Sequence, residues 1–423
     1  MINKYKNYKA SGDQWLGSIP ENWIVSSMKY HLEISGGYAF KSNDYIDNGG
    51  VPILRIGDIK PIVDSYYAKR VPYEIIEGLE AFRAKENDIL VAMTGATIGK
   101  NGVYKSKEEA YVNQRVGLLR SKNDLSQTFL KYFIDTDFFK EFIKLECSGS
   151  AQENISTTDI ANLKIALPTV EEQTKISQYL DNQTGLIDAI IEKKQQLINK
   201  LKEQRQAIIN EAVTEGLDPD APMKDSGVEW LGEIPEHWEV CKLKHIAQLK
   251  SGNFISANDI EQVGDYPVYG GNGLRGYTNS FTHEGNYVLI GRQGALCGNI
   301  NYASGQFWAT EHAVVVNLKG VMDVFYIGEL LRTMNLNQYN ESAAQPGLAV
   351  GKIENLWIPK NSYEDQIQIS KFIRREFEIS SKLISKIEIQ ISKLKDYRQS
   401  IISEAVTGKI DVREWEPKVK ETA

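Results

Sequence analysis

The sequence predicts a mixed α/β protein with two globular domains separated by a long antiparallel two-helix coiled coil, laid out as a tandem duplication. Three observations predict this. Residues 11–29, SGDQWLGSIPENWIVSSMK, recur as 226–244, SGVEWLGEIPEHWEVCKLK, with 11 of 19 positions identical. Residues 205–214, RQAIINEAVT, recur as 398–407, RQSIISEAVT, with 8 of 10 identical. Finally, each copy holds a 44-residue stretch almost free of helix breakers: 171–214 has no proline and one glycine, Gly185, and 364–407 has neither. A repeat this long is a duplicated domain, not a solenoid period.

The two repeats lie 215 and 193 residues apart, so the region between them is 22 residues longer in the first copy. The plan reads 1–167, first globular domain with its opening motif; 168–214, first long helix; 215–236, linker and second opening motif; 237–358, second globular domain; 359–407, second long helix; 408–423, tail. Each helix would span roughly 66 Å at about 1.5 Å per residue. Ile176, Leu180, Ile187, Ile190, Leu197, Leu201 and Ile208 follow a 3-4 spacing, as do Ile369, Ile373, Leu383, Ile387, Leu394, Tyr397 and Ile401. That is the heptad pattern of a coiled coil. Pro168 and Pro359 are expected just before the two helices, where the missing N–H costs little, and Gly216 and Gly408 just past their ends. In the globular regions, VPILRIGDI (51–59), NDILVAMTG (87–95) and NYVLIGRQG (286–294) read as buried strands closed by glycine. Phe129–Phe142 and Val324–Met334 have helical periodicity.

The chain has 423 residues and a net charge of −7. The linker 215–236 carries −6 of it, one lysine against seven carboxylates, while 22–167 and 237–358 carry only −1 and −2. Bulk attraction for nucleic acid is therefore excluded, but local recognition is not. Three widely separated cysteines offer neither a disulfide framework nor metal-ligand spacing. No apolar run approaches the roughly 20 residues needed to span a bilayer, and the N-terminus lacks an apolar signal core. A cytoplasmic protein is expected.

Motifs with apparent chemistry fail on context. GNGLRG (271–276) matches G-x-G-x-x-G but is followed by poor helix material, and GATIGK (95–100) is one residue short of a phosphate loop, with Asn101 where a magnesium-binding hydroxyl belongs. His31, His237, His245, His283 and His312 show no ligand spacing. A recognition protein is expected, with no catalytic residue, metal or cofactor of its own. Base edges are read by Arg, Lys, Asn, Gln, Ser and Thr, and donor-rich loops recur in both copies: Thr94–Asn101 and Arg292–Asn299, sharing Gly-Ala-x-x-Gly; 113–115 and 310–312; 150–152 and 343–345. The candidates are Lys41, Thr94, Thr97, Lys100, Asn101, Asn113, Gln114, Arg115 and Gln152 in the first copy. In the second they are Asn272, Arg275, Tyr277, Arg292, Gln293, Asn299, His312 and Gln345.

These motifs together resemble the specificity subunit of type I DNA restriction-modification systems. The carriers are the duplicated W-L-G-x-I-P-x-x-W (Trp15–Trp23, Trp230–Trp238), GYAFKSNDY (37–45), ILVAMTGATIGKNG (89–102), AYVNQR (110–115), YGGNGLRGYT (269–278) and the helices ending in EAVT. The resemblance implies two target recognition domains that each read half of a split, asymmetric double-stranded DNA site, with the coiled coil as a ruler. It implies two modification subunits that use S-adenosylmethionine to methylate adenine. It further implies restriction subunits that use ATP and magnesium. The subunit itself is non-catalytic. Two alternatives stay open from the residues: a coiled-coil scaffold for two non-DNA modules, and the recognition subunit of a modification-only complex.

Overall fold

The computed structural model describes residues 4–13, 16–122, 124–147, 154–294, 296–340 and 347–417. The chain divides into two units: 1–194 with 389–423, and 195–388. The duplication, the mixed α/β class and the paired helices are all present.

In the first unit, a five-stranded sheet runs Leu32–Ser35, Val116–Ser121, Ile89–Ala92, Asn101–Tyr104, Ile62–Val63. A four-stranded sheet runs Lys69–Val71, Val51–Leu54, Ala110–Val112, Arg83–Ala84. In the second, one six-stranded sheet runs Ala247–Ser251, Ala313–Leu318, His283–Gly291, Ile300–Ala309, Tyr266–Gly270, Gly273–Thr278. The first four strands of each series correspond in order and pairing. Most of the first copy's extra length lies between Leu54 and Ala92, where three short strands replace one hairpin strand. The runs read as strands are buried because both faces are covered: Ile89, Leu90, Val91 and Ala92 are all buried, as are Val288, Leu289 and Ile290.

The long helices are Val170–Thr214 and Tyr363–Val406. Within each unit they run antiparallel. In the first, Arg398 meets Asp188 at 3.0 Å and Lys194 donates to Gln390 at 2.7 Å, so advancing on one helix means retreating on the other. In the second, Arg205 lies 4.5 Å over the Phe377 ring.

Two expectations need correction. Ile190, Leu197, Leu383 and Tyr397 lie outward, 43–52% exposed. Ile187 and Ile387 are buried as expected, and further buried positions are Ile391 in the first unit and Ile198 and Ile384 in the second. Next, Phe129–Phe142 is not one helix: Gln127–Ile134 and Asp137–Glu146 are separated where the Thr136 hydroxyl accepts from Phe139 N and starts a new helix. The prolines do sit just before the long helices, as expected: Pro168 directly precedes the cap of the first. Pro359 sits in strand Trp357–Lys360 opposite Val240, and the caps are the hydroxyls of Thr169 and Ser362. Gly216 and Gly408 follow the helices with φ of +87° and +72°, as C-terminal glycines should.

Each long helix is fastened to its unit in the same way. Gln173 accepts from Ser126 N at 2.7 Å and Gln366 from Asp323 N at 2.9 Å. Both glutamines are buried, and both partners cap the helix that packs alongside. The duplicated Trp23 and Trp238 are fully buried at the heads of the two domains, and Trp15 lies outside the described residues.

After the second helix the tail returns over the first unit. Arg413 grips Asp411 through Nε–Oδ1 at 2.9 Å and Nη2–Oδ2 at 2.6 Å, which holds the Asp411 carboxyl below the usual carboxylate range. A depressed folded pKa stabilises the fold above the unfolded value of about 3.9. That contribution disappears as pH falls through the folded value. Acid titration should therefore open the Asp411–Arg413 pair and unseat Arg413 from the Tyr5 ring, 4.9 Å away, in the segment whose Trp415 ring stands 5.4 Å from Tyr179. Trp fluorescence should show a step below about pH 4, and Asp411→Asn should remove that step. An unchanged step in the variant would refute the assignment.

Candidate nucleic-acid interface

The predicted loops converge because the main chain ties them together, and it does so identically in both units. In the first, Met93 N donates to Arg115 O at 3.0 Å and Met93 O accepts from Ile155 N at 3.0 Å. In the second, Arg292 N donates to His312 O at 2.9 Å and Arg292 O accepts from Leu348 N at 3.0 Å. Asn113 N bonds Leu54 O and Thr310 N bonds Tyr269 O, both at 2.9 Å. Inside the Gly-Ala-x-x-Gly loops, Gly99 N bonds Ala92 O and Gly298 N bonds Gly291 O, both at 2.8 Å. Gly37 and Gly252 complete the frame: a Cβ there would lie 2.0 Å from Asn113 O or 2.2 Å from Ala309 O, so no side chain fits.

This frame sets the correspondence of positions. Met93 matches Arg292, Thr94 matches Gln293, Lys100 matches Asn299, Asn113 matches Thr310, and Arg115 matches His312. The frame is shared and the side chains on it differ.

In the first unit, Thr94, Thr97, Lys100, Gln114 and Arg115 are brought to one edge. Thr97, Lys100, Gln114 and Arg115 are exposed, and Arg115 forms no ion pair or side-chain hydrogen bond among the described residues. Asn113 is half-buried and donates to Tyr45 Oη at 3.2 Å; burial pushes the Tyr45 phenol up. Lys41 is exposed and precedes a 3-10 turn, Ser42–Asp44, whose Asp44 accepts from Lys41 N. Asn101 does not join the group. Its amide is directed at the carbonyls of Gly99 and Ile134, both at 3.5 Å, a packing role. Gln152 lies outside the described residues.

In the second unit, Arg292, Gln293, Asn299, His312 and Asn272 gather. Arg292 Nη1 donates to Ser251 Oγ at 3.0 Å, and Asn299 donates to Asn272 Oδ1 at 3.3 Å. His312 Nε2 is 3.2 Å from Glu311. GNGLRG forms a β-hairpin and opens no helix. Its Gly271 lies so close that a Cβ would be 2.9 Å from His312 O. Arg275 is exposed and folds its stem over Gly270. Tyr277 stands further along the hairpin, its backbone paired with Glu261. Gln345 lies outside the described residues.

Two features were missed. Arg55, half-exposed, directly follows Leu54, the partner of Asn113, and is paired with Asp58 at 3.4 Å. GNFISAND (252–259) repeats the pattern of GYAFKSND (37–44), and its Ala257–Asp259 forms the same 3-10 turn. Comparison at an offset of 215 would have found it.

The histidines are held structurally where the contacts are clear. His31 bridges Asp124 and Ser26, both at 2.7 Å, and His283 stacks on Phe307, with burial lowering its pKa. Among the described residues, no group of three or more His, Cys, Asp or Glu is placed to hold a metal, and no helix is long and apolar enough to cross a membrane.

The model of the type I restriction modification DNA specificity domain matches twice, over 20–202 and 235–393. The chain belongs to this family. It is similar to the type I restriction enzyme EcoprrI specificity subunit of Escherichia coli, 29% identical over 377 residues, covering 85% of this chain and 88% of that one. It is also similar to the EcoBI specificity subunit of Escherichia coli, 24% identical over 428 residues, covering 93% and 87%. A chain from a structural study of complex assembly and conformational transition in the type I R-M system shares the fold, with a TM-score of 0.66 at 13% identity over 92% of this chain and 98% of that chain. As a type I specificity subunit, the protein is a non-catalytic DNA-recognition component that acts with partner subunits; methylation and restriction belong to the assembled complex.

Proposed function

We propose that each unit reads one half of a split DNA target through its frame loops, and that the two halves differ in sequence. The observation that carries this reading is the frame itself: one backbone arrangement built twice, with different donors mounted at matched positions. Thr94, Lys100 and Arg115 present one set of donors. Gln293, Asn299 and His312, with Arg292, present another. Side chains that reach base edges specify sequence, while main-chain and cationic contacts to phosphate fix register.

In this reading double-stranded DNA is bound in the cytoplasm together with two modification subunits, and restriction subunits complete the assembly. S-adenosylmethionine, ATP and magnesium belong to those partners, and this chain binds none of them. The near-neutral charge of both globular regions supports a division of labour in which partners supply much of the phosphate grip.

Mapping methylated sites with the modification subunit present tests the reading. The expected target is two unlike half-sites separated by a spacer of unread bases; a single contiguous palindrome would contradict it. A second outcome follows for the assembled methyltransferase. Its log–log salt slope for DNA binding should flatten by about one on Lys100→Ala if Lys100 meets a phosphate. An unchanged slope would remove Lys100 from the interface.

A further inference from the structure

The two units differ at one place where the duplication leads one to expect a match. In the first, Tyr5 inserts beside Trp23, with ring centroids 6.0 Å apart, and is 5% exposed. Its hydroxyl donates to Glu172 Oε1 at 2.5 Å, Asn22 donates to Oε2 of the same carboxylate at 3.0 Å, and the Arg413 guanidinium lies 4.9 Å over the Tyr5 ring. An aromatic ring, a carboxylate acceptor and a covering cation thus form one socket.

In the second unit the socket persists and the ring is missing. Trp238 matches Trp23, His237 matches Asn22, and Asp365 matches Glu172, with His237 and Asp365 3.8 Å apart. The residue in register with Tyr5 is Asp220, three before the hairpin strand Met223–Asp225, just as Tyr5 is three before Tyr8–Ala10. Asp220 is exposed and does not enter. What remains is a cleft of about 150 Å³ walled by Pro235, Trp238 and Ile369 and rimmed by Glu215, Asp218 and Asp365. A cavity of about 150 Å³ lined by apolar side chains takes up a benzene ring. Three carboxylates at the rim favour a cation beside it, and a cation over an aromatic face is itself attractive.

We propose that this cleft docks a tyrosine of a partner chain, flanked by lysine or arginine, inserted in the way Tyr5 is inserted in the first unit. Asp365 Oδ2 accepts from Ser362 Oγ at 2.8 Å, so the partner's hydroxyl meets Asp365 Oδ1, and its flanking cation meets the acidic rim. The socket is remote in sequence from the frame loops and does not depend on their reading DNA, so the two ideas can fail separately.

The test uses the full chain and a hexapeptide of residues 4–9, Lys-Tyr-Lys-Asn-Tyr-Lys, which is the segment that fills the first socket. Saturable binding at one peptide per chain is expected, with the indole N–H signal of Trp238 shifting on titration. Replacing the first tyrosine of the peptide by alanine should weaken binding at least tenfold, and so should Ala221→Trp, which fills the cleft. The altered peptide keeps the test valid if the Ala221 variant folds poorly. In Tyr5→Ala protein the first socket is vacated, and the stoichiometry should rise to two. Absence of binding, binding indifferent to the tyrosine, an unmoved Trp238 signal, or binding by the Tyr5→Ala protein alone would each overturn the proposal.

Discussion

Arg292→Ala is expected to relax recognition at one half-site and leave the other intact. Both main-chain groups of Arg292 are committed to the frame, its N–H to His312 O and its carbonyl to Leu348 N, with Cys297 Sγ also donating to that carbonyl at 3.3 Å. The guanidinium alone is available, and its single bond to Ser251 is easily exchanged for a base edge. A bidentate arginine contributes about 1–3 kcal/mol of discrimination, roughly five- to 150-fold. Methylation of DNAs carrying single changes in either half-site reads this directly. Arg115→Ala is expected to act on the opposite half, because Arg115 stands on the first unit's frame. Equal losses at both halves from either variant would mean general damage and would sink the assignment.

Arg120→Ala should strongly destabilise the first unit. Asp88 is 3% exposed and receives Arg120 Nε at 2.8 Å and Nη2 at 2.6 Å, with Glu33 adding a contact at 3.2 Å. The pairing with Asp88, ahead of the contrary effect of burial, raises the Arg120 pKa. Removing the arginine leaves a buried carboxylate unpaired, a loss of about 3–5 kcal/mol. The second unit shows that the fold does not need charge here: strand register places Tyr287 and Asn317 at the matching positions. Replacing both partners, Asp88→Asn with Arg120→Leu, removes both charges but keeps an acceptor for Lys85 N, which bonds Asp88 at 2.6 Å, and should therefore recover most of the loss. Hydrogen exchange of Ile89–Ala92 is the readout, since it reports this unit whatever the rest of the chain does. A double variant as unstable as the single one would show that the pair holds more than its own charges.

Much of the architecture was legible because periodicity and repetition are sequence properties. The helix seam was legible only to within one column. Ile190 is followed by Ile191, Leu197 by Ile198 and Leu383 by Ile384, and pattern alone cannot say which of two adjacent apolar residues turns inward. Thr136 lies in Asp135-Thr136-Asp137, a stretch that carries a capping signal of its own, but the phenylalanines on either side continue a helical period across it. In the candidate interface, the shared Gly-Ala-x-x-Gly loops were visible. Counting back two residues from each first glycine equates Met93 with Arg292, but an apolar side chain and a cation share no residue-type signal, and it is their common hydrogen bonds that show the two positions to be built alike. Asn101 shows the converse: its type suits base reading, while its amide faces the carbonyls of Gly99 and Ile134, each 3.5 Å away.

The frame's construction from main-chain groups and glycines has a consequence for how such a protein changes over generations. The loops are held by amides and carbonyls that every residue possesses, so substitution at Thr94, Arg115, Arg292 or His312, none of them a buried core side chain, alters recognition chemistry with little toll on stability. Selection can then act on what is bound without first repairing what holds the loop. With two separate frames on one chain, each half of the address can drift on its own, and new combinations arise by point change in a single copy.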